Sequence, residues 1–417
     1  MRNYKKIILN NGIPLYLYND PSMKKVFCGY TVKYGTEGKW IDFELDGEKH
    51  HVRFGVPHFL EHLLGEHSRN GNIYSNFTER HAYANAYTAD DHTTYHFTGA
   101  QDVEKSIKEL IEAIDMPVFD SKDVEHSRHA IEEEAHGYMD DIRYAAMCLA
   151  EKNLYASYDK YDDSLSSIGD RKNNHDITLD ELRTCYDAFY TDDRKVLVIA
   201  GNFDEKKLVD YLNGIYANIP KHTSNLVVPT YDLEPIRKTD DVLLRKIAVD
   251  FTAYGIKIKK PEDVSERDFQ FVTDLYNDYL FDDQGDFMDY LRNKNLIDAL
   301  QYCYFVGTDG YTNHMHSVLS SNPTEYEKEF FDKINKKDIT PEEFELIKKT
   351  FIAGEVRELD DKYSSPTRFG ERMNYTTDYS QADFYRTKSY DEFRSILDRL
   401  DYNTHTRVKI KNKEKKS

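Results

Sequence analysis

The chain of 417 residues is poor in cysteine, in positive charge and in long apolar runs, and each shortage narrows its class. Its four cysteines, Cys28, Cys148, Cys185 and Cys303, lie far apart and form no C-x-x-C pair. That excludes a disulfide scaffold and a thiolate zinc site, and it fits a reducing, cytoplasmic setting. No stretch of about 18 apolar residues occurs, so no membrane span is expected. Lysine and arginine number 56 against 75 aspartates and glutamates, a net charge of −19. Such a balance argues against nucleic acid as a partner and favours basic or neutral ligands. The N-terminal MRNYKKIILNNG holds only three consecutive apolar residues, too few for the core of a signal peptide.

What is present is enough apolar sequence, 39%, for roughly two to four domains. Strand patterns occupy 5–18, bent by an Asn11-Gly12 turn, and 26–34. A polar insertion covers 38–53. A helix follows, then a hairpin turning at Ala89–His92, then helices over 102–114 and 121–152. Residues 179–201 read as a helix leading into a strand, and 390–410 repeat that order and much of its apolar pattern. The second half opens, like the first, with a strand, here within 241–258. The expectation is an α+β chain of two structurally similar domains, 1–225 and 226–417, each an antiparallel-rich sheet packed with helices. The last residues, KIKNKEKKS, read as a solvated basic tail.

Within the apolar run GVPHFLEHLLGEH, His58, Glu61 and His62 stand among Phe59, Leu60, Leu63 and Leu64. Burying ionisable groups is costly unless something pairs them. Residues four apart share a helix face, so His58 and His62 can offer two imidazoles to one zinc ion, with Glu61 reaching the same side. The competing explanation is histidines satisfied by hydrogen bonds in a core. Five residues separate His62 from His67, ~140° of rotation, which makes His67 a surface or capping residue. His50, His51, His314 and His316 have no carboxylate at ligand spacing and are expected at the surface or as caps.

A zinc ion held by two imidazoles needs a third protein ligand and an open position. In SRHAIEEEAHGYMDDI the apolar positions Ile131, Ala135, Tyr138 and Ile142 define a buried face. At ~100° per residue, Glu134 borders it, whereas Glu132 and Glu133 point to solvent. Glu134 is the expected third ligand.

HFLEH, ANAYTADDHTTY some twenty residues on, and the glutamate-bearing helix together resemble the inverted-motif H-x-x-E-H zinc peptidases. This is the family of pitrilysin, insulin-degrading enzyme and mitochondrial processing peptidase, and the likeness is greatest to its bacterial two-domain members. The resemblance implies a processing-peptidase-like fold and one Zn2+ per chain, held by His58, His62 and Glu134. Glu61 matches the general base that activates the zinc-bound water. Asn85, Ala86 and Tyr87 match the edge strand that pairs with substrate backbone. Arg292 matches a substrate-holding arginine, but Asp298 stands at the companion tyrosine position, with Tyr302 and Tyr304 nearby. Ser127 stands where the family favours a second glutamate, seven residues before Glu134. The second half lacks the motif and is expected to be a homologous domain without zinc.

The function so implied is a zinc metalloendopeptidase cleaving peptides or small unfolded polypeptides, in precursor processing or peptide clearance. Its implied partners are a peptide substrate, basic in view of the charge, and either a second copy or a zinc-less family member. Two alternatives stand beside it. One is a non-catalytic peptide-binding or assembly subunit of the same family. The other is a purely structural zinc, for which no fourth ligand stands out.

Overall fold

In the computed structural model the alternating residues 5–18 form a hairpin, β1 (Lys5–Ile8) pairing antiparallel with β2 (Pro14–Asn19). The structure describes residues 4–36, 40–156, 171–230, 232–283, 285–308, 310–361, 366–367, 369–370 and 381–413, with backbone alone at 139, 171–173, 301–308 and 358–360. Two units share them. The first comprises Met1–Gly137, Ser166–Thr230 and Arg357–Ser380, the second Tyr138–Leu165, Tyr231–Val356 and Gln381–Ser417.

The first unit is built on a six-stranded sheet ordered β1-β2-β8-β3-β7-β6, with β3 (Val26–Val32), β6 (Tyr83–Thr88), β7 (Thr93–Gly99) and β8 (Lys195–Gly201). Only β2 and β8 run parallel. Its helices are α1 (Val56–Glu66), α2 (Ile73–Glu79), α3 (Val103–Asp115), α4 (Ser121–Asp140), α6 (Arg171–Asp176), α7 (Leu179–Phe189) and α8 (Glu205–Tyr216). Apolar residues of α1, α2, α3, α7 and α8 join those of β3, β7 and β8 in one core. The polar insertion is not irregular. It forms a hairpin of β4 (Asp42–Leu45) and β5 (Glu48–His51), extended on the far side of β4 by β9 (Leu226–Val227). Asp46 and Gly47, at φ 51° and 88°, make its two-residue turn, whose right-handed strand twist requires φ > 0 at both positions.

The second unit holds a five-stranded sheet ordered β10-β14-β11-β13-β12, from β10 (Asp240–Arg245), β11 (Phe251–Lys259), β12 (Ala299–Thr308), β13 (Tyr311–Leu319) and β14 (His405–Asn412). This repeats the order and sense of β2-β8-β3-β7-β6, with its one parallel pair between β10 and β14. Its helices are α5 (Ile142–Asn153), α9 (Glu266–Phe281), α10 (Asp286–Asn293), α11 (Pro323–Lys336), α12 (Pro341–Asp360), α13 (Gln381–Thr387) and α14 (Tyr390–Leu397). The sequence echo is real at the level of local chemistry. Thr178 with Glu181 and Ser389 with Glu392 form capping boxes at the starts of α7 and α14, and each helix leads into β8 or β14.

Three expectations need correction. The helix expected over 121–152 is two, because Asp141 leaves the helix and its side chain accepts from the amides of Arg143 and Tyr144 to cap α5. The segment 241–258 is two strands, β10 and β11, rather than one. A single cut near 225 does not describe the observed units, since α5 groups with the second. Ala145, Ala146, Leu149 and Leu154 pack with Ala253, Met315, Val408 and Ile410 of that unit's sheet. Among the described residues no helix is long and apolar enough to cross a membrane.

Tyrosine, 33 residues of the chain, supplies much of the interior, and several buried hydroxyls, those of Tyr30, Tyr95, Tyr155 and Tyr216 among them, are hydrogen-bonded. Tyr30 donates to Asp115 at 2.8 Å, and the same carboxylate takes Lys195 Nζ at 2.6 Å. The Lys195 and Asp115 side chains are only 1% and 3% exposed. Removing one partner of such a pair strands the other charge, so Lys195→Met is expected to destabilise the protein by about 3–5 kcal/mol. Adding Asp115→Asn should recover most of that loss. Urea titration of the single and double variants measures both, and an unchanged single variant would refute the pairing.

Candidate metal centre and peptide-binding edge

Helix α1 begins at Gly55, which holds φ 89° at the cap, with proline in its first turn. Phe59, Leu60, Leu63 and Leu64 are at most 2% exposed. Gly65 permits a close approach, since a Cβ there would lie 2.3 Å from the Tyr74 hydroxyl of α2. The apolar side thus anchors α1 in the core and carries His58 and Glu61 with it, at 6% and 8% exposure.

The His58 and His62 rings meet edge to face with centroids 4.8 Å apart. Glu134 of α4 points its Oε2 at both, 3.6 Å from His58 Nε2 and 3.3 Å from His62 Nε2. One donor atom from each residue falls within 4.8 Å of the others, and among the described residues no other histidine, cysteine or acid joins the group. Two imidazoles and a carboxylate converging on one point, with no fourth protein ligand, fit a divalent metal that keeps an open position. On the far side of these rings, His58 Nδ1 is buried without a hydrogen-bond partner, and His62 Nδ1 lies 3.2 Å from Glu66 Oε1.

Charge in the metal-free cluster is unevenly placed. Burial, aided by the neighbouring His62, lowers His58 to about 4. Burial acts on His62 too, but Glu134 and Glu66 outweigh it and raise that imidazole to about 10. The hydrogen bond to His62 keeps the Glu134 carboxyl below its usual range. Burial pushes Glu61 up to about 7 against the pull of His62 and a hydrogen bond from Thr88.

That hydrogen bond ties the cluster to the sheet edge. Thr88 Oγ1, at the end of β6, donates to Glu61 Oε2 at 2.9 Å. Among the described residues β6 pairs with β7 alone, so its outer edge is open. Asn85 is exposed opposite His96, Ala86 is 9% exposed opposite Tyr95, and the Tyr87 ring meets those of His92 and His96 at 5.8 and 6.4 Å.

The structure therefore brings His58, Glu61, His62 and Glu134 together beside the strand that carries Asn85, Ala86 and Tyr87. Arg292 belongs to the second unit, where its guanidinium holds the Asp283 carbonyl at 2.7 Å, the Asp283 carboxylate, and Asp289 at 3.2 Å. Asp298 accepts from Ser321 Oγ at 2.8 Å, and the side chains of Tyr302 and Tyr304 lie outside the described residues. Ser127 is fully buried with its hydroxyl unpartnered.

Several local expectations change. Glu133 is exposed as expected, but Glu132 is 7% exposed and faces His175 Nδ1 at 3.1 Å. Tyr138, expected on the buried face of α4, is 47% exposed. His67 does cap α1, but His314 and His316 are fully buried on β13, covered by Phe281 and Phe330. Two residues at the centre were missed. Glu66 stands four residues after His62, the same spacing that paired His58 with His62. Thr88 follows Ala86 by two and so shares its face.

A carboxyl with a folded pKa of about 7, against an ordinary 4.5, binds its proton more tightly when folded. Its ionisation therefore costs stability, beginning as pH rises above the ordinary value and complete above the folded one. Metal-free Glu61→Gln is expected to be more stable than metal-free wild type at pH 8, by up to roughly 3 kcal/mol, with the gap closing toward pH 5. Urea titrations at the two pH values test this, and a variant less stable at pH 8 would contradict it.

Known proteins resemble this chain along most of its length. A family model described as "Insulinase (Peptidase family M16)" matches residues 50–157, and one described as "Peptidase M16 inactive domain" matches 176–351. The chain is 28% identical over 202 residues to "Uncharacterized zinc protease YmfH" of Bacillus subtilis, covering 48% of this chain and 46% of that protein. It is 28% identical over 178 residues to "Mitochondrial-processing peptidase subunit beta" of Saccharomyces cerevisiae, covering 41% and 37%. The chain thus spans less than half the length of these two relatives. A solved M16-like peptidase from Alicyclobacillus acidocaldarius shares the fold over 98% of both chains, at TM-score 0.86 and 19% identity. A protease from Helicobacter pylori does so over 99% of this chain and 100% of that one, at TM-score 0.78 and 16% identity. With both family models matched in sequence order and the fold shared along the whole chain, this protein belongs to peptidase family M16.

Proposed function

We propose that the chain is a zinc-dependent endopeptidase for peptides or small unfolded polypeptides. The observation that carries this reading is the position of Glu61. It is a buried carboxyl with a pKa of about 7, beside a three-donor cluster and hydrogen-bonded through Thr88 to an open strand edge. His58, His62 and Glu134 would hold one zinc per chain. Zinc in such a site supplies Lewis acidity, activating a water and polarising the scissile carbonyl.

The remaining work falls to the chain's own residues. An extended peptide adds to the outer edge of β6 at Asn85, Ala86 and Tyr87, held by main-chain hydrogen bonds. Glu61 takes a proton from the attacking water and passes it to the leaving amine. Thr88 orients that carboxyl. Arg292 is a candidate substrate contact in the domain without the motif, where Asp283 and Asp289 now engage it.

The charge of −19 favours basic peptides, in precursor processing or peptide clearance. Cysteine usage, with Cys28 and Cys185 buried as thiols, fits a cytoplasmic setting. The protein would act as a homodimer or beside a zinc-less family member, and the yeast relative is by name one subunit. The loss of the tyrosine position to Asp298 favours a second reading, a peptide-binding subunit that does not cleave alone.

Cleavage of a quenched-fluorescence peptide library by wild type and Glu61→Gln, with zinc content measured on both, separates these readings. The expected result is one zinc per chain in each, and a rate in the variant lower by roughly 10²–10⁴-fold. Equal rates in the two would overturn the role of Glu61. Zinc binding without cleavage in either would favour the subunit reading. A zinc-chelating agent should abolish wild-type cleavage, and restored zinc should return it.

A further inference from the structure

Glu66 stands one helical turn beyond His62, and its Oε1 lies 3.2 Å from His62 Nδ1. The opposite ring nitrogen, Nε2, is 3.3 Å from Glu134 Oε2 and belongs to the donor cluster. A neutral imidazole carries one proton, so one nitrogen donates and the other offers a lone pair. An ionised carboxylate can only accept. Both nitrogens of His62 face carboxylates, Nε2 towards Glu134 and Nδ1 towards Glu66. A metal at the cluster would take the Nε2 lone pair, which leaves the ring proton on Nδ1, where Glu66 Oε1 can accept it.

We propose that Glu66 is a positioning residue that fixes the tautomer and ring orientation of His62 for metal ligation. The proposal rests on the reading of His58, His62 and Glu134 as a zinc site. His58 supplies an internal contrast, since its own Nδ1 is buried without a partner and no hydrogen bond sets its tautomer. Of the two imidazoles, His62 is thus the one held ready. The holding bond is partly shielded from water, with the His62 and Glu66 side chains 18% and 26% exposed. It also costs little chain entropy, because the two residues are fixed one turn apart on the same buried helix. Outer carboxylates of this kind raise the basicity of a ligating imidazole and sharpen its aim.

The test is the zinc dissociation constant of full-length wild type, Glu66→Ala and Glu66→Gln, measured by competition with a chromophoric chelator. Cobalt-loaded samples report the ligand field, and the thermal melt of each metal-free protein controls for folding. Glu66→Ala is expected to bind zinc roughly 10–100-fold more weakly and to alter the cobalt spectrum, with an unchanged metal-free melt. Glu66→Gln, whose amide oxygen can still accept from Nδ1, should lose less affinity and keep a spectrum closer to wild type. Should Glu66→Ala fail to fold, Glu66→Leu, which keeps the bulk but has no acceptor for Nδ1, takes its place, and zinc affinity within twofold of wild type together with an unshifted cobalt spectrum overturns the proposal. Equal affinity in folded Glu66→Ala overturns it as well, with the zinc site intact. A wild type that binds no zinc removes the zinc reading itself, and this role with it.

Discussion

Phe59, Leu60, Leu63 and Leu64 are bound into the first unit's core, and that anchoring keeps His58 and Glu61 largely out of water, at 6% and 8% exposure. Every property of the site depends on this one constraint. A helix free to roll would bring its imidazoles and carboxyl into solvent, where their pKa values would return toward ordinary ranges. Held in place, the same side chains become mutually dependent. His58 is pushed toward neutrality, Glu61 toward protonation, and Glu134 is drawn to the imidazoles. Ionisable groups pressed together in a nonpolar setting are costly on their own. A metal ion at their convergence would offset that cost.

The second constraint is the position of β6 at the edge of its sheet. A central strand would have both rows of backbone groups paired and could accept no peptide. β6 uses one row on β7 and leaves the other, and Thr88 on that strand touches Glu61. The Glu61 carboxyl is thus held by the same element that offers an open edge to a peptide. The second unit repeats the sheet, with β12 at the corresponding edge, and α9 stands between β11 and β12 as α1 does between β3 and β6. Yet α9 reads ERDFQFVTDLYNDYLF and carries no histidine. One topology therefore appears twice, once with the donor set and once without it, which separates the fold's architecture from its chemistry.

How far the sequence could be read follows from the range of the interactions involved. His58 and His62 are one turn apart, so helical periodicity alone faces them together. Glu134 required one further step, its place beside an apolar stripe. Glu66 is equally local, four residues after His62, whereas the neighbouring His67 lies five residues on and on another face. The break at Asp141 turned on one side chain capping α5, a choice that apolar periodicity does not register. His314 and His316 looked like surface residues for want of a nearby carboxylate. They lie instead on β13, inside a sheet and under two phenylalanines.

By itself the sequence determined the repeated α+β pattern, the H-x-x-E-H face and the glutamate expected to join it, because each rests on spacing within one helix, hairpin or strand. Only the tertiary structure decided that Thr88 holds Glu61, that β6 is an edge, and that α5 packs on the second unit's sheet. The same is true of the pKa of Glu61, because burial is the sum of contacts from distant segments. Local spacing sets which side chains can meet on one element. Burial and strand order arise from many weak contacts between residues far apart in the chain, and no short stretch encodes them.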